Sequence, residues 1–279
     1  MKNTNYNIGV LLTCFNRREK TINCLKALYQ CYLPDNHFIE VFLVDDGSSD
    51  NTSEEVKSLF PGVNVIQGNG KLFWNRGMHL AWSSAVQRMN YDFYVWLNDD
   101  TILFENALEL MLDYSHSVNN ERIVVGATCS AITGNLTYGG YEFPKKKLAV
   151  NGRWQNCDYF NGNIVLIPAW VYENAGLNDK RFKHALGDFD YGMRARKLGF
   201  IHSLSPVYLG YCELHESDPT WRNHDPPVWK RFLHLYKPLG NNPFEFFLFD
   251  FRHNGLLLAL THFFSIHLRM LFPTLWKKP

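Results

Sequence analysis

The chain has 279 residues, a length that fits one α/β domain, and 46% of them are hydrophobic, enough for a sizeable core. The formal net charge of +1 argues against a nucleic-acid partner, which normally requires a basic stripe. The six cysteines form no CxxC pair and no zinc spacing, so we expect free thiols in a reducing compartment.

Apolar runs alternate with segments of helical periodicity over the first hundred residues. The polar start, residues 1–7, is unlike a signal peptide and predicts a cytoplasmic protein. Strands are predicted over residues 8–12, 39–44, 63–66 and 91–97. Helices are predicted over residues 17–31, 75–89 and 105–118, and another helix is expected to begin at a capping box of Thr52 and Glu55. This alternation predicts an α/β protein with a Rossmann-like, mostly parallel sheet flanked by helices.

The second half of the chain is less regular. Strands are predicted over residues 124–128 and 158–167, with a turn at residues 133–136 between short strands. Pro168 is expected to open a helix, and a helix over residues 188–198 is expected to stop at Gly199. We divide the chain into a catalytic domain, residues 1–215, and a C-terminal helical extension, residues 216–279.

Polar clusters follow several predicted strands, where ligands of parallel sheets bind. The Asn98-Asp99-Asp100 turn places carboxylates together, and Mg²⁺ or Mn²⁺ would relieve their repulsion while a diphosphate supplied further oxygen ligands. The alternative is a solvated turn that caps the next helix. The clusters at residues 13–17 and 45–50 are each compatible with an ordinary turn, but the three clusters together favour a nucleotide site.

Six motifs occur in a defined order along the chain. They are Thr13-Cys14-Phe15-Asn16-Arg17, Val44-Asp45-Asp46-Gly47-Ser48-Ser49-Asp50, the segment 68–78, Asn98-Asp99-Asp100, Phe160-Asn161-Gly162-Asn163, and Gly187-Asp188-Phe189-Asp190 with Arg194. Over roughly residues 7–215 this set resembles the inverting glycosyltransferases of family 2, which have the GT-A fold. The segment 68–78 is similar to a loop of rhamnosyl- and galactosyltransferase-like members.

The resemblance implies a role for each matching residue. Asp188 corresponds to the catalytic base and Asp100 to a metal ligand, with His215 as a second candidate ligand that could equally be structural. Residues 1–103 would form the nucleotide-sugar-binding half, with contacts from Thr13, Phe15, Arg17, Asp45, Asp46, Gly70, Lys71, Asn75, Asn98 and Asp99. Residues 104–215 would form the acceptor-binding half, with contacts from Gly162, Asn163, Gly187 and Asp190.

Two positions depart from the family pattern. Asn98 stands where the family usually has Asp, which makes Asp100 the better-supported metal ligand. Gly187 stands where Glu often precedes the catalytic Asp, and we expect it to leave space for an acceptor. Lys71 and Arg76 could contact diphosphate or could be solvated loop residues.

The implied activity is that of a hexosyltransferase that moves a sugar from a UDP-, dTDP- or GDP-sugar to a glycan or lipid-linked glycan acceptor, with Mg²⁺ or Mn²⁺ as cofactor. Cell-surface polysaccharide biosynthesis is the expected setting. Two alternatives are a sugar-1-phosphate nucleotidyltransferase, disfavoured because no glycine follows the first strand, and a non-catalytic sugar-nucleotide-binding protein.

The C-terminal extension contains a run of apolar residues at helical spacing. Leu256, Leu257, Leu260, Phe263, Phe264, Leu268 and Leu271 fall on one predicted helical face. Arg252, Arg269, Lys277 and Lys278 flank or interrupt the run, and His262, Ser265 and His267 break it, so it is a poor spanning helix. Two interpretations stay open: a helix on the inner face of the cell membrane, or one packed on the protein's own core or in a homodimer.

Overall fold

The computed structural model describes residues 5–214, 220–223 and 225–275. The strands are β1 (Tyr6–Cys14), β2 (His37–Asp45), β3 (Asn64–Gln67), β4 (Phe93–Leu97), β5 (Ile102–Leu103), β6 (Arg122–Cys129), β7 (Gly140–Glu142), β8 (Lys146–Lys147), β9 (Gln155–Cys157), β10 (Tyr159–Phe160), β11 (Ile164–Pro168) and β12 (Ile201–Tyr211). The helices are α1 (Arg18–Gln30), α2 (Thr52–Leu59), α3 (Phe73–Arg88), α4 (Ala107–Ser117), α5 (Ala169–Ala175), α6 (Gly187–Lys197), α7 (Val228–Leu235), α8 (Pro243–His253) and α9 (Leu256–Leu271).

The main sheet has the strand order β3-β2-β1-β4-β11-β6-β12-β5, with β9 paired to β12. β3, β2, β1 and β4 are mutually parallel, and β6 is parallel to β12. β11 is antiparallel to both of its neighbours, β4 and β6. The carboxyl ends of β1, β2, β4, β6 and β12 therefore meet at one edge, where β11 begins, and the predicted mostly parallel sheet is confirmed.

Both faces of the sheet are covered by helices, which explains why its central strands are apolar on both faces. One apolar cluster packs α1 and α4 against alternate residues of β1, including Ile8, Val10 and Leu12. The second packs α3, α5 and α6 around the buried indoles of Trp82 and Trp96. A separate small cluster, formed by Trp221, Leu235, Ile266 and Met270, holds α7 against α9.

Two local predictions were wrong. Thr52 and Glu55 do not form a capping box: Asp50 accepts hydrogen bonds from the backbone N–H and the hydroxyl of Thr52 and so takes the capping role. The predicted strand over residues 158–167 is two strands, β10 and β11, separated by a turn at residues 161–163. That break places Gly162 and Asn163 at the sheet edge where the other motifs meet.

Candidate active site

A cavity of about 1310 Å³ opens at the edge where the parallel strands end. It is larger than the roughly 300–1,000 Å³ of an ordinary small-molecule pocket. One wall comes from the first half of the chain and includes Thr13, Phe15, Arg17, Asp46, Asn98, Asp99 and Asp100. The other wall includes Tyr138, Tyr141, Gly162, Asn163, His184 and Asp188. The cavity thus brings together ten of the predicted site residues.

The turn after β4 carries three polar side chains, two of which share one partner. Arg17 Nη1 lies 3.1 Å from Asp99 Oδ1 and 3.0 Å from Asp100 Oδ2, so one guanidinium bridges both carboxylates. Asn98 Oδ1 accepts a hydrogen bond of 2.7 Å from the indole N–H of Trp74. The amide oxygen of Asn98 is therefore already engaged by Trp74, whereas the carboxylates of Asp99 and Asp100 face the positive charge of Arg17.

Asp99 shows how strained this turn is electrostatically. Its side chain is buried, and its Oδ2 has no hydrogen-bond partner in the described part of the chain. Burial raises the pKa of Asp99 to about 7; the Asp100 charge adds to the rise and Arg17 opposes it. A divalent cation fits this donor set, because it would satisfy the orphaned oxygen and take over the charge balance that Arg17 provides.

The described residues contain no cluster of three or more His, Cys, Asp or Glu side chains that could hold a metal ion. A cation at this turn would depend on Asp99, Asp100 and the oxygens of a bound diphosphate. The other predicted ligand, His215, lies outside the described residues. This donor set is that of Mg²⁺ or Mn²⁺ sites that share their ion with substrate phosphate.

Asp46 organises the loop at residues 68–73. Its Oδ1 accepts from the backbone N–H of Gly70 at 2.8 Å, and its Oδ2 accepts from those of Leu72 at 2.8 Å and Phe73 at 3.0 Å. The tight turn that follows Asp46 uses Gly47 at φ +79°, a conformation that favours glycine. Asp46 therefore lines the cavity and also fixes the loop that starts α3.

Asp188 lies in the first turn of α6 and lines the cavity. Its Oδ2 accepts from the backbone N–H of Gly162 and its Oδ1 from that of Phe189, both at 2.9 Å. Burial raises the pKa of Asp188 to about 6, and these hydrogen bonds moderate the rise. The helix cap is Leu186, in left-handed backbone at φ +68°, so Asp188 is not the capping residue. A carboxyl group with a pKa near 6 is suited to exchange a proton with a substrate.

Four residues that were predicted to contact substrate do not line the cavity and lie behind its wall: Asp45, Asn75, Gly187 and Asp190. Asp45 is buried, with its oxygens taken by the Ser48 N–H and the Ser53 hydroxyl, so it closes its own turn. Asn75 is also buried and donates to the carbonyls of Asp179 and Phe182.

The acceptor-side predictions for Gly187 and Asp190 are corrected in the same way. A Cβ at Gly187 would lie 1.9 Å from Asn75 Oδ1, so this glycine permits close packing and leaves no acceptor space. Asp190 is fully buried between Arg194 (3.0 Å), Arg252 (2.5 Å) and His253 (2.9 Å). Gly70 and Lys71 belong to the loop held by Asp46 but do not line the cavity.

Sequence reasoning missed that the C-terminal helices complete the cavity. The lining residues from α8, α9 and the loops beside them are Leu239, Phe246, Phe249, Asp250, Asn254, Leu258, Thr261, His262, Ser265 and Arg269. His262 Nδ1 lies 2.6 Å from Asp250 Oδ2, which joins α8 to α9 across this wall. The signal was present in the sequence as polar positions spaced three and four residues apart within an apolar helix.

A family model described as "Glycosyl transferase family 2" matches residues 9–172, more than half of the chain. The chain belongs to glycosyl transferase family 2. The match contains the donor-side motifs and the Gly162 turn, while α6, with Asp188, lies beyond it.

Similar proteins support this assignment. An uncharacterized glycosyltransferase of Rickettsia conorii is 27% identical over 246 residues, which cover 78% of this chain and 36% of that protein. A poly-beta-1,6-N-acetyl-D-glucosamine synthase of Staphylococcus epidermidis is 25% identical over 152 residues, 54% of this chain and 32% of the synthase. The chain thus spans about a third of the length of these two relatives.

Solved structures show the same fold. A mannosyltransferase from Pyrobaculum calidifontis, in complex with GDP-Man and Mn²⁺, aligns with a TM-score of 0.60 and 14% identity, over 98% of this chain and 74% of that one. Residues 1–349 of Staphylococcus aureus TarS, in complex with UDP, align with a TM-score of 0.55 and 14% identity, over 92% of this chain and 80% of that one. The predicted GT-A fold is confirmed.

Proposed function

We propose that the protein is a metal-dependent, inverting glycosyltransferase that uses a nucleoside diphosphate sugar as donor. The observation that carries the proposal is one cavity with two kinds of acidic group. Asp99 and Asp100 lie at the end of β4, and Asp188 lies at the start of α6 on the other wall. The first pair would bind a cation and diphosphate, and Asp188 would act on the acceptor.

In the proposed reaction, Asp188 takes the proton from an acceptor hydroxyl as that oxygen attacks the anomeric carbon of the sugar. The new carbon–oxygen bond forms while the bond from that carbon to the diphosphate oxygen breaks. The bonding electron pair leaves with the nucleoside diphosphate. A single displacement inverts the configuration at the anomeric carbon and requires no covalent enzyme intermediate.

Side chains and backbone groups of this protein would orient the base that acts on the acceptor and bind the diphosphate of the donor. The Gly162 and Phe189 amides fix the two oxygens of Asp188, so the carboxylate is held in one orientation before substrate arrives. On the donor side, Asp99 and Asp100 would hold Mg²⁺ or Mn²⁺, which when bound stabilises charge on the departing diphosphate. Arg17, which bridges the same two carboxylates, is placed to add positive charge there.

Asp188→Asn tests the proposed base. We expect folding and donor binding to survive, because the amide keeps the size of the side chain, and transfer to fall about 10²–10⁴-fold, the usual contribution of general-base catalysis. Asp113→Asn, an exposed site on α4, is the matched control and should keep full activity. Near-normal turnover by a folded, donor-binding Asp188→Asn protein would remove Asp188 as the base.

The sugar and nucleobase can be found by thermal stabilisation with a panel of UDP-, dTDP- and GDP-sugars, each with Mn²⁺. A ligand at a hundred times its dissociation constant should raise the free energy of unfolding by about 2.7 kcal/mol. The hit should then release its sugar slowly to water without acceptor, which distinguishes an enzyme from a non-catalytic binding protein. We expect the product to belong to polysaccharide biosynthesis, and a relative named as a polysaccharide synthase supports this expectation.

A further inference from the structure

α9 presents three rows of side chains to three different surroundings. The inner row, Ala259, Phe263, Ile266 and Met270, packs toward α7 and α8. The polar row, Thr261, His262, Ser265 and Arg269, lines the active-site cavity. The apolar row, Leu257, Leu260, Phe264, Leu268 and Leu271, is exposed. The inner and apolar rows repeat every three or four residues, and so does the polar row apart from the adjacent pair Thr261 and His262, so each row forms one stripe along the helix.

This arrangement reverses that of a water-facing helix. A surface helix of a soluble domain turns its polar residues to solvent and its apolar stripe to the core. In α9 His262, Ser265 and Arg269 line the cavity and are half-buried, while Leu257 and Phe264 are 78% and 65% exposed. α7, which packs against α9, adds the exposed side chains of Trp229, Phe232 and Leu233. Exposed apolar side chains concentrated on two packed helices mark an interaction site.

The charges around this surface indicate what covers it. Lys230 and Lys237 are exposed, and Arg269 is partly exposed. Among the described residues after 219, Asp225 is the exposed acidic residue, because Glu245 and Asp250 are buried. A basic, apolar surface matches anionic lipid headgroups over an acyl region. In a two-fold pair both copies would bring the same excess of basic over acidic side chains to the interface.

We propose that the apolar row of α9 lies in the interface of an anionic bilayer, with the polar row turned toward the cavity. The helix would lie along the surface, since no helix among the described residues is long and apolar enough to cross a membrane. Docking in this way would place one wall of the cavity at the headgroup level. Acceptors would then be amphiphiles whose polar end passes along Thr261, His262 and Ser265. The docking itself does not depend on the proposed function.

Vesicle co-sedimentation of the full chain tests the proposal. We expect binding to vesicles of phosphatidylcholine mixed with phosphatidylglycerol, weaker binding to phosphatidylcholine alone, and a fall in binding as salt screens the basic residues. The double variant Leu257→Glu/Phe264→Glu should bind at least about a hundredfold more weakly, because each of the two large side chains kept out of the interface costs about a factor of ten. Both positions lie outside the cavity wall.

The matched control is Ile132→Glu/Trp170→Glu, which changes two exposed apolar residues far along the chain from α9. It should bind vesicles like the unchanged protein, and circular dichroism should show all variants folded. Equal vesicle binding by the α9 variant, or no preference for anionic lipid, would overturn the proposal. So would light scattering that shows a dimer which only the α9 variant loses, without vesicle binding, since that outcome assigns the surface to a second copy.

Discussion

The carboxyl of Asp188 is held between two opposing effects. Removal from water disfavours its charged form, while two backbone N–H groups favour it. The effect of burial is the larger of the two, and the pKa of Asp188 rises to about 6. An ordinary aspartate, with a pKa near 4, would be a weaker base at neutral pH. The local structure therefore makes Asp188 a stronger base while leaving it ionised at pH 7.

This pKa predicts the pH dependence of transfer. A base acts only when deprotonated, so kcat/KM should fall about tenfold per pH unit below pH 6 and be nearly constant above pH 7. The measurement is a pH–rate profile with saturating donor and limiting acceptor. The residual activity of Asp188→Asn should lack this acid limb. A flat profile from pH 5 to pH 7 would contradict the assignment.

The proposed dependence on a divalent metal can be tested at Asp100. Asp100→Ala should abolish transfer, because one of the two carboxylates that would hold the cation is lost and Arg17 keeps only Asp99. A chelator should silence the unchanged protein until Mg²⁺ or Mn²⁺ is returned. Full activity in chelator would assign diphosphate stabilisation to Arg17 and neighbouring donors.

At the scale of elements, a buried ionic cluster joins α6 to α8. Arg252, the penultimate residue of α8, contacts Asp190 at 2.5 Å and Asp179 at 2.7 Å. Burial alone would raise the pKa of Asp190, but the hydrogen bond from His253 and the charges of Arg194 and Arg252 hold it below its ordinary value. The helix that carries Asp188 is thus fixed by a residue of the C-terminal extension.

Arg252→Met should lower the free energy of unfolding by about 2 kcal/mol, less than the roughly 3–5 kcal/mol of a fully unpaired buried charge, because Asp190 keeps two partners. The control is Arg181→Met, which removes an exposed contact of 2.7 Å to the same Asp179 and should cost under about 1 kcal/mol. Urea denaturation measures both. Equal midpoints for the two variants would show that the α8 contact adds nothing to stability.

At the scale of the whole molecule, the sequence predicted what depends on local pattern. Strand–helix alternation predicted the sheet, strand-end motifs predicted Arg17, Asp46 and Asp100, and the family resemblance supplied Asp188; all four residues line the cavity. Asp190 was misassigned because its partners Arg252 and His253 lie more than 60 positions away, at a contact that no spacing rule encodes. The polar row of α9 was seen only as an interruption of an apolar run, because its meaning depends on the cavity beside it.

The two walls of the cavity come from separate stretches of the chain. β11 runs against its neighbours, so the turn before it enters the edge that residues 13–100 reach from the other strands. In the proposed function the early stretch supplies the donor contacts and the late stretch supplies the opposite wall, and Asn75 joins the two through the carbonyls of Asp179 and Phe182. Substitutions at wall residues that lie away from these contacts, such as Tyr138 and Phe143, would alter the opposite wall and leave the Asp46 and Asp100 loops intact. Related chains could in this way differ in the acceptor that they modify while they keep the same nucleotide-sugar donor.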